Sequence, residues 1–432
     1  MRQDRKYEFR CPLHGFIQVD TWEREIIAQP AFQRLRRIRQ LAWTDYLYPG
    51  AMHTRFEHSL GVMHVATRLY DAICERSKDI LQSELAYNEV GLDRDRRLVR
   101  LAALLHDVGH GPFSHASEEL FPEIPDGSGN KYEHDIHYSA EVIRQELKDA
   151  IENNPFNQAN YRISANEIAA LIEGSAEAGS SVFWRELISG QMDADRMDYL
   201  LRDSLHAGVQ YGRFDLERMI NTIVAVPYED RAPRLGVTEG GWHAAESLIL
   251  ARYFMFTQVY FHRTRVAYDH HIFKALQEML PKGKFPPPYG KTGSKRNLQQ
   301  YLKWDDWRVL GLIADGKGGE HGARIATRNH YREVYHTPEV PLVEDIEKLE
   351  SAKAALGGLL AAEQSAGKSW YKTGESDIPI QSERASRSIV PLSQYSSIAA
   401  SIKANRQTLL YAKPEDADEA RQIVDKIEGG GE

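Results

Sequence analysis

The sequence predicts a mainly α fold with a smaller α+β region at its C-terminal end. Three observations carry that expectation. Apolar residues recur at helical spacing through most of the first 280 residues, strand-like patches are few and short, and a basic Pro/Gly-rich stretch sets off a differently patterned remainder.

The chain opens with a short segment rich in charge and β-formers. A helix is expected over 30–41, where Phe32, Leu35 and Ile38 recur every three residues and leave the arginines mostly on the other face. A second is expected over 56–76, with Phe56, Leu60, Met63, Tyr70 and Ile73 on one stripe. A third, over 95–106, is almost wholly apolar through Leu98, Leu101, Ala102, Leu104 and Leu105, and Gly109-His110-Gly111-Pro112 stops it. Helical patterns follow near 115–120, 134–151, 165–174, 182–206, 214–222 and 242–280, with 220–226 the best strand candidate. Residues 281–296 hold three consecutive prolines, several glycines and five basic residues without an acid, which reads as a loop or linker. The expected organisation is a helical core with its N-terminal segment over 1–280, the basic loop over 281–296, and the smaller α+β region over 297–432, ending in a frayed Gly429-Gly430-Gly431 tail.

A chain of 432 residues suits two or three folding units, or one large helical unit with appendages. A net charge of −8 argues against a protein whose main task is to coat nucleic acid, and the basic loop lacks the interleaved aromatics of a single-strand platform apart from Phe285 and Tyr289. Cys11 and Cys74 are too few for a disulfide framework or a thiolate zinc site. The first ten residues are polar, unlike a signal peptide, and no apolar run approaches the roughly 20 residues of a membrane span. A soluble, cytoplasmic protein without a membrane partner is expected.

Three segments carry chemistry. They are Arg55-Phe56-Glu57-His58-Ser59-Leu60-Gly61, His106-Asp107-Val108-Gly109-His110-Gly111-Pro112-Phe113-Ser114-His115, and Asp193-Ala194-Asp195-Arg196-Met197-Asp198-Tyr199 continuing to Arg202-Asp203. In the second, an apolar helix delivers a His-Asp pair at its end. A carboxylate buried there costs several kcal/mol unless it meets a cation or donors. A capped helix with surface histidines is the plainer reading, but the apolar helix and the two histidines that follow favour a metal. In the third, Asp195, Tyr199 and Asp203 fall on one helical face at i, i+4, i+8. Together His58, His106, Asp107 and Asp195 offer two imidazoles and two carboxylates, a set that neutralises a divalent ion and suits Mn, Fe, Zn, Ni or Co better than Ca. Such an ion activates water and polarises a phosphoryl oxygen. His53, His64, His206, His262, His270 and His271 have no metal pattern of their own and are read as structural.

The order H…HD…D resembles the HD phosphohydrolases. The flanking words, from Pro49-Gly50-Ala51-Met52-His53-Thr54-Arg55 through Gly61-Val62, with the His106–His115 string and Asp195-Arg196-Met197-Asp198-Tyr199, resemble their dNTP triphosphohydrolase branch. Cys11-Pro12-Leu13-His14-Gly15, Glu246-Ser247-Leu248 to His262-Arg263, and Trp304-Asp305-Asp306 extend the resemblance over nearly the whole chain. It implies an HD helical core and attack of water on the α-phosphorus of a deoxynucleoside triphosphate, releasing deoxynucleoside and triphosphate. It also implies His58, His106, Asp107 and Asp195 as metal ligands, with a transition metal and Mg as cofactors. His115, Glu118 and His134 become the acid–base group, with His137 the alternative to His134; Glu118 stands where better-known members carry Asp. Arg55, His110, Arg196 and Tyr199 would meet the phosphates, Arg196 replacing a Lys. Gln40, Leu41, Asp203 and Tyr268 would line a sugar pocket that rejects a 2′-hydroxyl, and Asp269 replaces a Gln there. Assembly as a homo-oligomer, a dimer of dimers or larger, is implied, as is a nucleotide activator. At the activator positions Gln33 and Arg36 match, but Ala28 stands where the regulated relatives carry a guanine-reading Asp, so activation by GTP is not expected. The alternatives are an HD phosphodiesterase or nuclease acting on nucleic-acid ends, and a nucleotide-sensing scaffold with a relict site.

Overall fold

A computed structural model describes residues 6–228, 231–289, 295–367, 376–383 and 389–428. The fold is mainly α, with a few small sheets, as the apolar periodicity predicts. Its centre is the helix Arg55–Arg76, buried along most of its length. The chain enters it through a capping box in which Thr54 and Glu57 satisfy each other's backbone donors. The helices Glu89–Leu105 and Ala194–Ala207 pack on either side of it. Close approach of the second depends on Gly61, where a Cβ would sit 1.9 Å from Asp198 Oδ1. These three helices deliver the three chemical segments to one place.

Among the described residues there are three sheets. The strands β1 (Tyr7–Cys11) and β2 (Gly15–Val19) form an antiparallel hairpin. A second sheet has the order β3-β4-β7-β8, from β3 (Ile223–Tyr228), β4 (Arg231–Thr238), β7 (Pro379–Gln381) and β8 (Ile389–Pro391). The third, β5-β9-β6, joins β5 (Arg332–His336), β6 (Ala362–Ser365) and β9 (Thr408–Ala412) under the helices Val343–Leu356 and Ala417–Glu428.

Three sequence expectations shift. The helix expected over 30–41 stops early: Pro30–Gln33 is α-helical, Arg34–Arg37 tightens into a 3-10 turn, and Ile38 is extended. Arg34, expected outside, is fully buried, because its guanidinium donates to the carbonyls of Trp304 (2.6 and 3.1 Å) and His110 (2.8 Å). The core also runs past the expected boundary at 280, since Leu298, Tyr301, Trp304, Val309 and Ile313 join the main apolar cluster. Finally, the described first part of the basic stretch, 281–289, is anchored to the core: Phe285 is buried, and the Pro286 carbonyl accepts from Tyr138 Oη at 2.7 Å. Residues 290–294 of that stretch, with Lys291, and the glycine tail 429–431 lie outside the described residues. No helix among the described residues is long and apolar enough to cross a membrane.

Candidate active site

The apolar helix Glu89–Leu105 ends at His106, whose Nδ1–H donates to the Ala103 carbonyl at 2.8 Å. That bond fixes the tautomer and leaves Nε2 facing the adjoining helices. His58 is fixed in the same way: its Nδ1–H donates to Asp198 Oδ2 at 2.8 Å, and Nε2 lies 3.0 Å from Asp195 Oδ1. His106 Nε2 lies 3.7 Å from the same Asp195 oxygen and 3.5 Å from Asp107 Oδ1, while His58 Nε2 lies 3.7 Å from Asp107 Oδ2. Both Nε2 atoms are buried, and neither has a well-aligned hydrogen-bond partner among the described residues.

Two buried imidazole nitrogens without partners, facing two carboxylates, are what a divalent cation requires, so His58, His106, Asp107 and Asp195 fit a metal. The electrostatics agree. Burial by itself would lower the His58 pKa, but the carboxylates of Asp195 and Asp198 outweigh it and push it up to about 10. Asp195 is held well below the usual carboxylate range against its burial, through His106 and His58. The site therefore attracts positive charge, whether a proton or a metal.

Asp198 anchors the arrangement from behind. Fully buried, its carboxylate accepts from His14 Nε2 (2.7 Å), His58 Nδ1 (2.8 Å), and Nε and Nη2 of Arg202 (both 2.8 Å). Asp107 is paired with Arg55, whose Nε also donates to Ser114 Oγ at 2.8 Å. The turn that follows is held in left-handed backbone at Phe113 (φ 57°) and Ser114 (φ 54°), a strained conformation for non-glycine residues. Asp306, from a distant helix, secures it by accepting the Phe113 N–H at 2.7 Å. Gly109 is required here because a Cβ would meet the Ser139 backbone nitrogen at 2.2 Å.

Beyond that turn lies a second group of polar side chains. Glu118 Oε1 accepts from His115 Nδ1 at 2.8 Å and from His134 Nδ1 at 2.7 Å. Burial alone would raise the Glu118 carboxyl, but the two imidazoles hold it well below its ordinary value. His134 is pushed up to about 9, the Glu118 charge overcoming the effect of burial. His134, not His137, reaches this group; His137 Nδ1 instead accepts the Glu133 N–H at 2.9 Å.

These groups open onto a cavity of about 710 Å³, within the range of small-molecule sites. Gln40, Leu41, Arg55, Asp107, His115 and His134 line one side. Asp195, Arg196, Tyr199 and Asp203 line another, in keeping with their shared helical face. Four guanidiniums thus border the space: Arg55, Arg196, Arg252 and Arg265. Asp203 is held by His53 Nε2 and Tyr260 Oη, both at 2.7 Å.

Five sequence-selected residues do not line the cavity: His58 and Glu118, which reach it only through the side chains they pair with, and His110, Tyr268 and Asp269. His110 is fully buried behind His134, with ring centroids 3.9 Å apart. Tyr268 is buried against Trp43 and Tyr46, and Asp269 sits behind Arg265, 3.4 Å from its Nη2. The Arg265 side chain, one turn earlier on their helix, occupies the cavity edge in their place. The sequence assigns no site role to His14, Asp198, Arg202, Arg252, Tyr260 and Arg265, and His53, read as structural, braces Asp203. For Asp198 and Arg202 a signal existed, a carboxylate and a guanidinium four residues apart beside the chemical face; the others gain meaning only when distant segments meet.

Residues 55–203 match the HD domain family and residues 214–355 the HD associated region. The chain is 37% identical over 255 residues to the uncharacterised protein YwfO of Bacillus subtilis, covering 59% of this chain and 51% of that one. It is 33% identical over 231 residues to the human deoxynucleoside triphosphate triphosphohydrolase SAMHD1, covering 48% and 34%. The chain spans about half the length of the first curated relatives it matches. A crystal structure of a hypothetical protein from Aquifex aeolicus superimposes with a TM-score of 0.76 at 28% identity, covering 97% of this chain and 100% of that one.

Proposed function

Starting from a chain that carries an HD domain followed by an HD associated region, we propose that it is a phosphohydrolase that converts deoxynucleoside triphosphates to deoxynucleoside and triphosphate. The observation that carries this reading is the meeting, in one cavity, of the donors around Asp195, the His115–Glu118–His134 group, and four guanidiniums. The SAMHD1 relatives, named as deoxynucleoside triphosphate triphosphohydrolases, support the substrate class.

His58, His106, Asp107 and Asp195 would hold a divalent transition metal. When bound, it supplies Lewis-acid activation of water and of a phosphoryl oxygen. Arg55, Arg196 and Arg252 bind the phosphate chain through charge-assisted hydrogen bonds, and their fixed positions orient the α-phosphorus. Tyr199, between Arg196 and Asp203 along the helical face, spans from phosphate to sugar. Water attacks the α-phosphorus, the bond to the 5′ oxygen breaks, and His115 returns a proton to that oxygen. Glu118 and His134 hold the His115 ring and replenish the proton. Gln40, Leu41 and Asp203 take the sugar end. A homo-oligomer belongs to the same reading. A guanine-reading activator does not, because Ala28 offers no carboxylate where the regulated relatives carry one; Gln33 is engaged with Arg36 Nε (2.9 Å) and the Ile27 carbonyl (2.7 Å).

The test is a product analysis. Purified protein with Mn²⁺ or Mg²⁺ is given each deoxynucleoside triphosphate, alone and mixed, and the products are resolved by ³¹P NMR. Intact triphosphate with deoxynucleoside is expected. Pyrophosphate, orthophosphate or no turnover would reject the reading and direct the next assay to oligonucleotides.

A further inference from the structure

We propose that His110, His115, Glu118 and His134 form a second divalent-metal site, suited to Zn²⁺ or Co²⁺, and that filling it inhibits the hydrolase. The inhibitory part rests on the acid–base role assigned above to His115, Glu118 and His134.

The donors converge. His115 Nδ1 and His134 Nδ1 lie 2.8 and 2.7 Å from Glu118 Oε1, and His110 Nε2 lies 4.0 Å from it. One donor atom from each of the four residues falls within 4.8 Å of every other. In a tetrahedral zinc site with bonds of about 2.0–2.1 Å, ligand atoms stand roughly 3.3 Å apart. The separations to Glu118 bracket that value and the rest stay within 4.8 Å, so side-chain shifts of about an ångström would complete the shell. Three imidazoles and one carboxylate favour zinc or cobalt over magnesium, which prefers oxygen ligands and water.

His110 supplies the independent sign of a ligand. It is fully buried, yet neither Nδ1 nor Nε2 has a hydrogen-bond partner among the described residues. A buried imidazole with both nitrogens unpaired is costly unless something else meets it. A core histidine retained only for packing would ordinarily use at least one nitrogen. An ion reaching Nε2 from the Glu118 side supplies one of the two partners the ring lacks.

The site is separate from the centre around Asp195, since the two donor sets share no residue. His134 stands between them, with Nδ1 facing Glu118 and Nε2 lying 3.7 Å from Asp107 Oδ1. Entry is open, because the His115 side chain is about half exposed, at 53%. Binding would displace to solvent the Nδ1 protons that His115 and His134 now donate to Glu118. The group that returns a proton to the leaving oxygen would then be occupied by metal.

The experiment is metal counting on the full chain. Chelator-stripped protein is titrated with Zn²⁺, and separately with Co²⁺, and bound ions are measured by equilibrium dialysis with mass spectrometry and by the Co²⁺ visible absorption. Two ions per chain are expected. The weaker should vanish in His115→Ala and in Glu118→Ala but persist in Asp195→Ala, and turnover should fall at least tenfold as it fills. His115 is a surface side chain, so its removal probes ligation with little threat to the fold, which circular dichroism checks. A single ion in the wild type, or a second ion that survives both variants, would overturn the site. Two ions with undiminished turnover would overturn the inhibition. If two ions bind as described but no deoxynucleoside triphosphate is hydrolysed, the site stands and the catalytic reading falls, taking the inhibition with it.

Discussion

His58 Nδ1 and Asp198 Oδ2 are 2.8 Å apart in a fully buried setting, and this one bond determines which face of the His58 ring meets Asp195. Asp198 does not reach the candidate metal position itself. It aims a ligand, and the same carboxylate neutralises Arg202 and ties down His14.

Replacing Asp198 with Asn should therefore weaken metal binding by about 10–100-fold, the usual scale for the partner of a metal-binding histidine. Replacing it with Ala should also destabilise the fold by roughly 3–5 kcal/mol, because Arg202 becomes an unpaired buried charge. Calorimetric metal titration separates the two effects from a thermal melt; unchanged affinity in Asp198→Asn would remove Asp198 from the metal reading.

Asp195→Ala removes a charged group that both His58 and His106 face. The metal of the first centre should be lost, with turnover falling by 10³-fold or more. Retained stoichiometry at that centre would sink the ligand assignment.

Gly61→Ala should loosen the crossing between the helices Arg55–Arg76 and Ala194–Ala207, since the new methyl would overlap the Asp198 carboxylate. A loss of about 1–3 kcal/mol is expected from overpacking, read as a lower denaturation midpoint, with weaker metal binding because displacing Oδ1 moves the carboxylate whose Oδ2 aims His58. A variant as stable as the wild type would mean that the helices can separate freely.

The pH dependence should carry the mark of His134. Its folded pKa of about 9 exceeds the ordinary 6.5, so its contribution to stability is complete below pH 6.5 and is lost as pH rises through 9. Glu118→Gln removes the charge that raises it, so the alkaline fall in both stability and turnover should shift to lower pH. Profiles of the two proteins that coincide would exclude this coupling.

Arg252→Ala should raise KM for a triphosphate by roughly tenfold or more, the scale of a lost charge-assisted hydrogen bond. Burial and the neighbouring Arg196 push the Arg252 guanidinium below its ordinary value, so an anion at this end of the cavity relieves real repulsion. Steady-state kinetics at fixed ionic strength decide the point; an unchanged KM would place the phosphates elsewhere.

Read by itself, the amino-acid sequence determined the mainly α class, the helices bearing His58, His106 and Asp195, and the common face of Asp195, Tyr199 and Asp203. All of these follow from local periodicity, because a helix fixes which neighbours share a face. Only the tertiary structure decided that Ile38 would break a helix expected to continue to Leu41. It also decided that Arg265, rather than Tyr268 or Asp269, borders the cavity, and that His14 and His53 brace carboxylates of a helix more than 140 residues away in the chain. Those outcomes depend on which buried donor meets which acceptor once distant segments pack. Arg34 makes the case: its row in the helical pattern pointed outward, yet the carbonyls of His110 and Trp304, brought together by the fold, gave a buried guanidinium the partners it needs.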